Sequence, residues 1–318
     1  MFTIVIPLYN KEKYIRRAVN SVLLQDFNDF ELLVVNDGST DDSVSKIEDI
    51  SDSRLKIINQ ANGGVGSARN TGISNANSDW IALLDADDVW AKNHLSELNN
   101  IINKYPSSGL ISTRHIEVNT NTINSIISID SQDSIIRSID YFFETTKTRG
   151  LVCSSTAAIR KDVFKDIGGF NNQKRGEDLE YWARIALDYP VAISEKITAY
   201  YCKGTGGVTE VLDDIVFKKF VSLSDVSSCI GLLVNRANSD PSILKNHSIK
   251  TYINHRLLSS SKIWLYQEDI PAAKNRSKFA IPQYNINFLT LCCITITPKA
   301  ILKKAIKIFI INHSQIHE

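Results

Sequence analysis

The chain has 318 residues, enough for one large domain or two ordinary ones, and 43% hydrophobic with 22% charged residues is the balance of a globular protein. A net charge of +1 gives no bulk attraction for nucleic acid, so that class of partner is excluded on charge. The five cysteines form no Cys-x-x-Cys pair, which argues against a disulfide framework or a zinc site and fits a reducing cytoplasm.

The start, Met1-Phe-Thr-Ile-Val-Ile-Pro7, lacks the zones of a signal peptide. The longest apolar run, Ile286 to Thr297, falls short of the roughly 20 residues that span a bilayer. A cytoplasmic protein is expected, with peripheral contact at the inner face of a membrane left open.

Thr3 to Leu8 is a short apolar run rich in β-branched residues and reads as a first, buried strand. Ile15, Ala18, Val19, Val22 and Leu23 share one helical face. Phe30 to Val35 predicts a second strand, and Ser39-Thr-Asp-Asp42 supplies a capping hydroxyl and first-turn acids for a helix. Leu55 to Ile58 predicts a third strand, Gly63 to Ala76 a glycine-led helix, Trp80 to Leu84 a fourth strand, and Leu95, Leu98 and Ile102 a further helix. Such alternation predicts a parallel α/β sheet with helices on both faces, its strands continuously apolar because both faces are covered.

From Gly109 to about Tyr201 the pattern loosens. Strand-like pieces at Leu110–Val118, Val152–Ile159 and Ile193–Tyr201 mix with helical ones, and Asn119 to Ser134 reads as a loop or edge hairpin. Asp178 to Leu187 reads as a helix with Leu179, Trp182, Ala183 and Ala186 on one face. Beyond about residue 210 the segments are helical and richer in Lys and Arg, so the expected domains are 1–210 and a helical extension over 211–318.

Ligands of open parallel sheets bind beyond the carboxyl ends of the strands. Three polar clusters fall there: Pro7-Leu-Tyr-Asn10, Asn36-Asp-Gly-Ser39 and Asp85-Ala-Asp-Asp88. Crowded carboxylates such as Asp85, Asp87 and Asp88 repel one another, and a hard divalent ion shared with a diphosphate would relieve that conflict. Tyr9 suits stacking on a base, or plain packing at a strand end. Asp37 suits a base N–H, or a cap for the segment after Ser39. Asp85 suits ribose hydroxyls and Asp87 the metal, while Asp88 reads equally as support or as a helix cap.

Gly63-Gly-Val-Gly66 can bring backbone N–H groups close to a ligand, and Arg69 lies one helical turn further on. Neither a Gly-x-Gly-x-x-Gly fingerprint after the first strand nor a Gly-Lys-Ser/Thr loop occurs, which counts against a dehydrogenase and a P-loop enzyme. Gly176-Glu-Asp-Leu-Glu-Tyr-Trp182 offers two carboxylates at a helix start, suited to a general base or merely to the helix dipole.

Together these segments resemble the family 2 glycosyltransferases of GT-A fold. The resemblance rests on Thr3–Asn10, Val34–Asp42, Asn62–Asn70, Leu83–Asp88 and Gly176–Arg184, taken in order. It implies a Rossmann-like mixed, mainly parallel sheet and inverting transfer of one sugar from a nucleoside-diphosphate sugar, UDP favoured, to an acceptor hydroxyl. Pro7, Tyr9, Asn10, Asp37, Gly66, Arg69, Asp85 and Ala86 would meet the nucleotide and Asp87 a Mn²⁺ or Mg²⁺ ion. Asp178 would be the base, with Glu177 and Trp182 at the acceptor. A glycan or lipid-linked glycan acceptor in bacterial surface polysaccharide synthesis is the expected partner.

Two departures stand out. The Gln-x-x-Arg-Trp motif of processive members is missing, which implies one sugar per encounter. The loop Cys202-Lys-Gly-Thr-Gly-Gly-Val-Thr209 lacks the His that many relatives place there, leaving Lys203 or Thr205 as alternative diphosphate contacts. The basic tail with Lys299, Lys303, Lys304 and Lys307 resembles an interfacial helix for anionic membrane, and reads equally as a helix packed on the protein. Two rival functions are a nucleotidyltransferase making an activated sugar and a catalytically silent nucleotide-sugar-binding module.

Overall fold

The computed structural model describes residues 1–120, 134–148, 150–173, 176–206, 227–266, 270–278, 280–282, 286–298 and 301–302. The basic tail from Lys303 onward, Lys299, and most of the loop expected over Asn119–Ser134 lie outside them. The chain divides into two compact units, Met1–Tyr141 with Gly150–Asp214, and Phe142–Arg149 with Ile215–Glu318.

In the first unit the expected alternation is present as β1 (Phe2–Leu8), α1 (Ile15–Leu23), β2 (Phe30–Asp37), β3 (Leu55–Gln60), α2 (Val65–Asn75), β4 (Trp80–Leu83), β5 (Val89–Trp90) and α3 (His94–Lys104). Then come β6 (Leu110–Asn119), β7 (Ile136–Ile139), β8 (Ala157–Arg160), α5 (Lys161–Ile167), α6 (Glu177–Asp188) and β9 (Val191–Lys203), while α4 (Tyr141–Lys147), which follows β7 in the chain, belongs from Phe142 onward to the second unit. Among the described residues nine strands form one sheet in the order β3-β2-β1-β4-β8-β6-β9-β5, with β7 also on β9. The β1–β2, β2–β3, β1–β4 and β6–β9 pairs are parallel, and the others antiparallel.

The chain leaves β1 for β2 and β3 on one side, then returns to place β4 on the other. That reversal opens a crevice at the carboxyl ends of β1 and β4. Register aligns its walls: Val5 pairs with Leu83 and Leu8 with Asn36, so Asp85 and Asp37 lie level with the end of β1.

Burial explains these elements. Every residue of β1 is buried, and α1 covers the sheet with Ile15, Ala18, Val19 and Val22. On α2, a Cβ at Gly72 would lie 2.3 Å from Val5 Cγ1, so only glycine lets this helix sit down on β1.

Three local expectations are corrected. Ser39–Asp42 does not start a helix: residues 42 to 49 form successive turns, because Asp41 and Asp42 bond backwards to the loop after β1. The first half of Val152–Ile159 is a 3-10 turn, Ser154–Thr156, and only its end is strand. On α6 the buried face is Tyr181, Trp182, Ala183 and Ile185, whereas Leu179 and Ala186 are half-exposed.

The second unit contains α7 (Ser228–Ser239), α8 (His247–Tyr266), α9 (Ile270–Ser277) and α10 (Ile286–Ile296). Its packing includes buried Ile230, Leu233, Ile253, Leu257, Ala273 and Leu291. Asn254 pins the chain after α9 with two bonds, Nδ2 to Ile281 O at 2.8 Å and Ile281 N to Oδ1 at 2.9 Å. Among the described residues no helix is long and apolar enough to cross a membrane.

Candidate active site

The crevice between β1 and β4 is built by two returning loops. After β1, Asn10 adopts a left-handed conformation at φ +50°, one that Asn tolerates better than most residues. Its side chain accepts from Thr40 N at 2.8 Å, and Lys11 N donates to Ser43 Oγ at 2.7 Å. The loop after β1 is therefore laced to the turns after β2. Tyr9 stands exposed at the rim, 48% accessible.

Asp37, at the end of β2, is buried. Its Oδ1 accepts from Gln60 Nε2 at 2.7 Å and Gly63 N at 2.9 Å, and its Oδ2 from Gly64 N at 2.8 Å. These bonds shape the glycine turn that opens α2, in which Gly64 at φ +88° needs the conformational freedom of glycine. The cap considered for Asp37 thus serves the Gly63–Gly64 turn, not the segment after Ser39. Gly66 also has a packing role, since a Cβ there would lie 2.7 Å from Asn171 O.

The acidic cluster after β4 is resolved by the chain itself, one carboxylate at a time. Asp85 Oδ1 accepts from Arg69 Nη2 at 2.7 Å. Asp87 Oδ2 accepts from Lys11 Nζ at 2.7 Å and from Thr205 Oγ1 at 2.8 Å. Asp88 is buried and accepts from Ser155 Oγ at 2.5 Å and Cys202 N at 2.8 Å. Burial first, then the charges of Asp85 and Asp87, push the Asp88 carboxyl well above the usual range. Ser155 also accepts from Asp85 N at 3.1 Å, so one hydroxyl braces both ends of the cluster. Arg17 Nη2 donates to the Asp87 carbonyl at 3.0 Å. Ala86 is buried between these groups, and Pro7 is buried in β1.

Arg69 joins the two halves of the site. It is buried and donates through Nη1 to Glu177 Oε1 at 2.9 Å while holding Asp85 through Nη2. Despite burial, the carboxylates of Asp85 and Glu177 raise its pKa and keep it charged. Glu177 opens α6, so this bridge brings the start of α6 to the end of β4. Asp178 follows. Its Oδ1 accepts from Leu179 N at 2.7 Å, and no ion pair reaches it among the described residues. Burial, then the neighbouring Glu177 charge, raise the Asp178 pKa to about 6 against the pull of Arg69.

Trp182 is not at the surface of this site. It is fully buried, edge-on to Phe170 with ring centroids 5.7 Å apart, and offers no face to an acceptor. Lys203 pairs with Glu117 rather than facing the crevice. The groups that sequence reasoning missed are Ser155 and the cations Lys11 and Arg17. Lys11 had one signal, since it directly follows Asn10 at a strand end lining the crevice.

Asp87 Oδ1 and Asp85 Oδ2 carry no hydrogen bond among the described residues, and an all-oxygen set of this kind suits Mg²⁺ or Mn²⁺. Among the described residues no cluster of three or more metal-ligating side chains occurs. An ion here would be held by Asp87, with Asp85 beside it, and would take its remaining ligands from phosphate oxygens or water.

The model of Glycosyl transferase family 2 matches residues 3–168, more than half of the chain, covering β1 through α5. The chain belongs to that family. Within it, succinoglycan biosynthesis protein ExoW of Rhizobium meliloti is 46% identical over 99 residues, 29% of this chain and 31% of that protein. Three other curated glycosyltransferases are matched over 33%, 39% and 33% of their own length, so the chain spans about a third of these relatives. Residues 1–349 of S. aureus TarS, solved with UDP-GlcNAc, share the fold at TM-score 0.67 and 23% identity, over 88% of this chain and 81% of that one. The mannosyltransferase PcManGT of Pyrobaculum calidifontis, solved with GDP-Man and Mn²⁺, does so at TM-score 0.53 and 16% identity, over 96% and 84%. The mixed α/β architecture is thus the GT-A fold expected from the sequence.

Proposed function

We propose that this chain is an inverting glycosyltransferase that moves one sugar from a nucleoside-diphosphate sugar to an acceptor hydroxyl. The observation that carries this reading is the Asp85–Arg69–Glu177 bridge. It couples the strand end suited to a nucleotide with the helix start that bears a raised carboxyl at Asp178, one with no ion pair among the described residues.

Each residue has a task. Tyr9 offers its exposed ring to the base. Asp37 acts through the Gly63–Gly64 turn, holding its backbone in shape, while its remaining acceptor capacity faces a base N–H. Asp85 keeps Oδ2 for ribose hydroxyls, because Arg69 occupies only Oδ1. A divalent ion at Asp87, when bound, would offset charge developing on the leaving diphosphate. Asp178 takes the proton of the acceptor hydroxyl at Oδ2, since Oδ1 is engaged by Leu179 N. The hydroxyl oxygen then bonds to the anomeric carbon from the face opposite the diphosphate, whose bond to that carbon breaks, and the configuration inverts. A base with a pKa of about 6 is largely ionised at neutral pH yet basic enough to accept a proton.

UDP is the favoured nucleotide, supported by the fold shared with TarS in its UDP-GlcNAc complex. A role in bacterial surface polysaccharide synthesis is supported by the similarity to ExoW.

The test uses UDP-GlcNAc as donor and a panel of polysaccharide-derived acceptors, with the anomeric configuration of the product read by NMR. Transfer with inversion is expected. Asp178→Asn should lower transfer by about a thousandfold, within the range for losing a general base, while UDP still binds. Transfer with retention, or full activity in Asp178→Asn, contradicts the reading.

A further inference from the structure

Lys11 has no role in the proposed transfer, yet it occupies one of the two oxygens of the Asp87 carboxylate. Its ammonium lies 2.7 Å from Asp87 Oδ2 and donates again to Thr205 O at 3.2 Å. Both side chains of the pair are less than one fifth exposed, 18% for Lys11 and 17% for Asp87. This is not a loosely tethered surface lysine. Its backbone is held by Ser43 on one side and by the left-handed turn of Asn10 on the other. Thr205 donates to the same Asp87 oxygen from the opposite wall. Arg17, on α1, holds the carbonyl of Asp87 and not its carboxylate, so among the described residues Lys11 is the cation that meets the charge itself.

We propose that Lys11 is a resident cation of the diphosphate site that competes with a divalent ion for Asp87. An ammonium on one oxygen of a carboxylate and a divalent ion on the other lie only a few ångströms apart, and like charges at that range repel. Free metal must therefore displace Lys11 or bind against its charge, and binds weakly on its own. A diphosphate changes the balance. It brings oxygens to complete the metal shell, and it gives the displaced ammonium a new partner, for which three rotatable N–H donors are well suited. Metal and nucleotide consequently bind together more readily than either binds alone. This inference rests on the nucleotide-sugar reading for the identity of the ligand, but the geometry of Lys11 on Asp87 is independent of it.

The test titrates Mn²⁺ alone into the full chain, with free Mn²⁺ read by electron paramagnetic resonance and no nucleotide present. Lys11→Met keeps an unbranched stem and removes the charge. It should bind Mn²⁺ about tenfold more tightly than the parent chain, since the competing charge on Asp87 is gone. Lys11→Arg, which keeps the cation, should behave as the parent. Adding Asp87→Asn to Lys11→Met should abolish the gain, which assigns it to this carboxylate. Circular dichroism and the melting temperature establish that each variant is folded. If Lys11→Met fails to fold, Lys11→Gln takes its place in the same titration. Equal Mn²⁺ affinity in the parent and the folded neutral variant, including no measurable binding to either, overturns the proposal. A UDP titration of the parent chain with Mn²⁺ present reports separately on the donor reading: failure there sinks that reading and leaves the Mn²⁺ comparison standing.

Discussion

The two flanks of the crevice treat their carboxylates in opposite ways. On the flank after β4, each acid has a partner: Arg69 for Asp85, Lys11 for Asp87, and Ser155 with the Cys202 amide for Asp88. On the flank of α6, Glu177 is paired with Arg69, but among the described residues Asp178 next to it has the amide of Leu179 alone. Partners lower the energy of the charged form, so paired acids are suited to holding ligands or structure. An acid desolvated without a cation of its own is pushed towards accepting a proton. Cations thus mark Asp85, Asp87 and Glu177 as holding groups; Asp88 is raised like Asp178, but both its oxygens are engaged by Ser155 and the Cys202 amide, whereas Asp178 keeps one oxygen open among the described residues.

Removing Arg69 strikes both flanks at once and should have the largest effect. Arg69→Ala leaves Asp85 and the largely buried Glu177 without their cation, and the loss of one partner from a buried charge network costs about 3–5 kcal/mol of stability. Urea unfolding would measure it. A change under about 1 kcal/mol would mean that the bridge is a loose surface contact. A smaller effect is expected at Ser155, which serves only the paired flank. Ser155→Ala leaves the Asp85 amide and the buried Asp88 carboxyl each short of a partner, at a cost of about 1–3 kcal/mol in the same assay. The comparison sharpens if the pKa of Asp178 stays put in Ser155→Ala, because the two flanks would then be independent apart from Arg69.

Much of this arrangement was legible in the sequence. Continuous apolar strands ending in Pro7–Asn10, Asn36–Ser39 and Asp85–Asp88 announce a buried parallel sheet with polar carboxyl ends, and the register confirms that these ends lie together. The helix start at Glu177 was equally plain from its acids. What sequence alone could not supply are partnerships across long separations. Lys11 meets Asp87 from 76 residues away, and Ser155 meets Asp88 from 67. Crowded carboxylates point to a metal on sequence alone, and nothing local shows which distant groups also fold over them. Turn chemistry misled in one place: Ser39–Asp42 has the composition of a helix start, yet Asp41 and Asp42 are recruited by Glu12 and its amide in the facing loop. Burial misled in another. The resemblance implies Trp182 at the acceptor beside Glu177, whereas its place on the apolar face of the helix packs it on Phe170.

Asp178, at the start of α6, is the acid held ready to exchange a proton with an acceptor near neutrality. Carbon-13 NMR of aspartate-labelled protein, titrated from pH 4 to pH 8, tests it without any need for the natural acceptor. A carboxyl present in the parent and absent from Asp178→Asn should titrate with a midpoint of about 6, protonated below and ionised above, so that transfer rises with pH through the same range. A difference signal that titrates near 4, the ordinary aspartate value, would contradict the account.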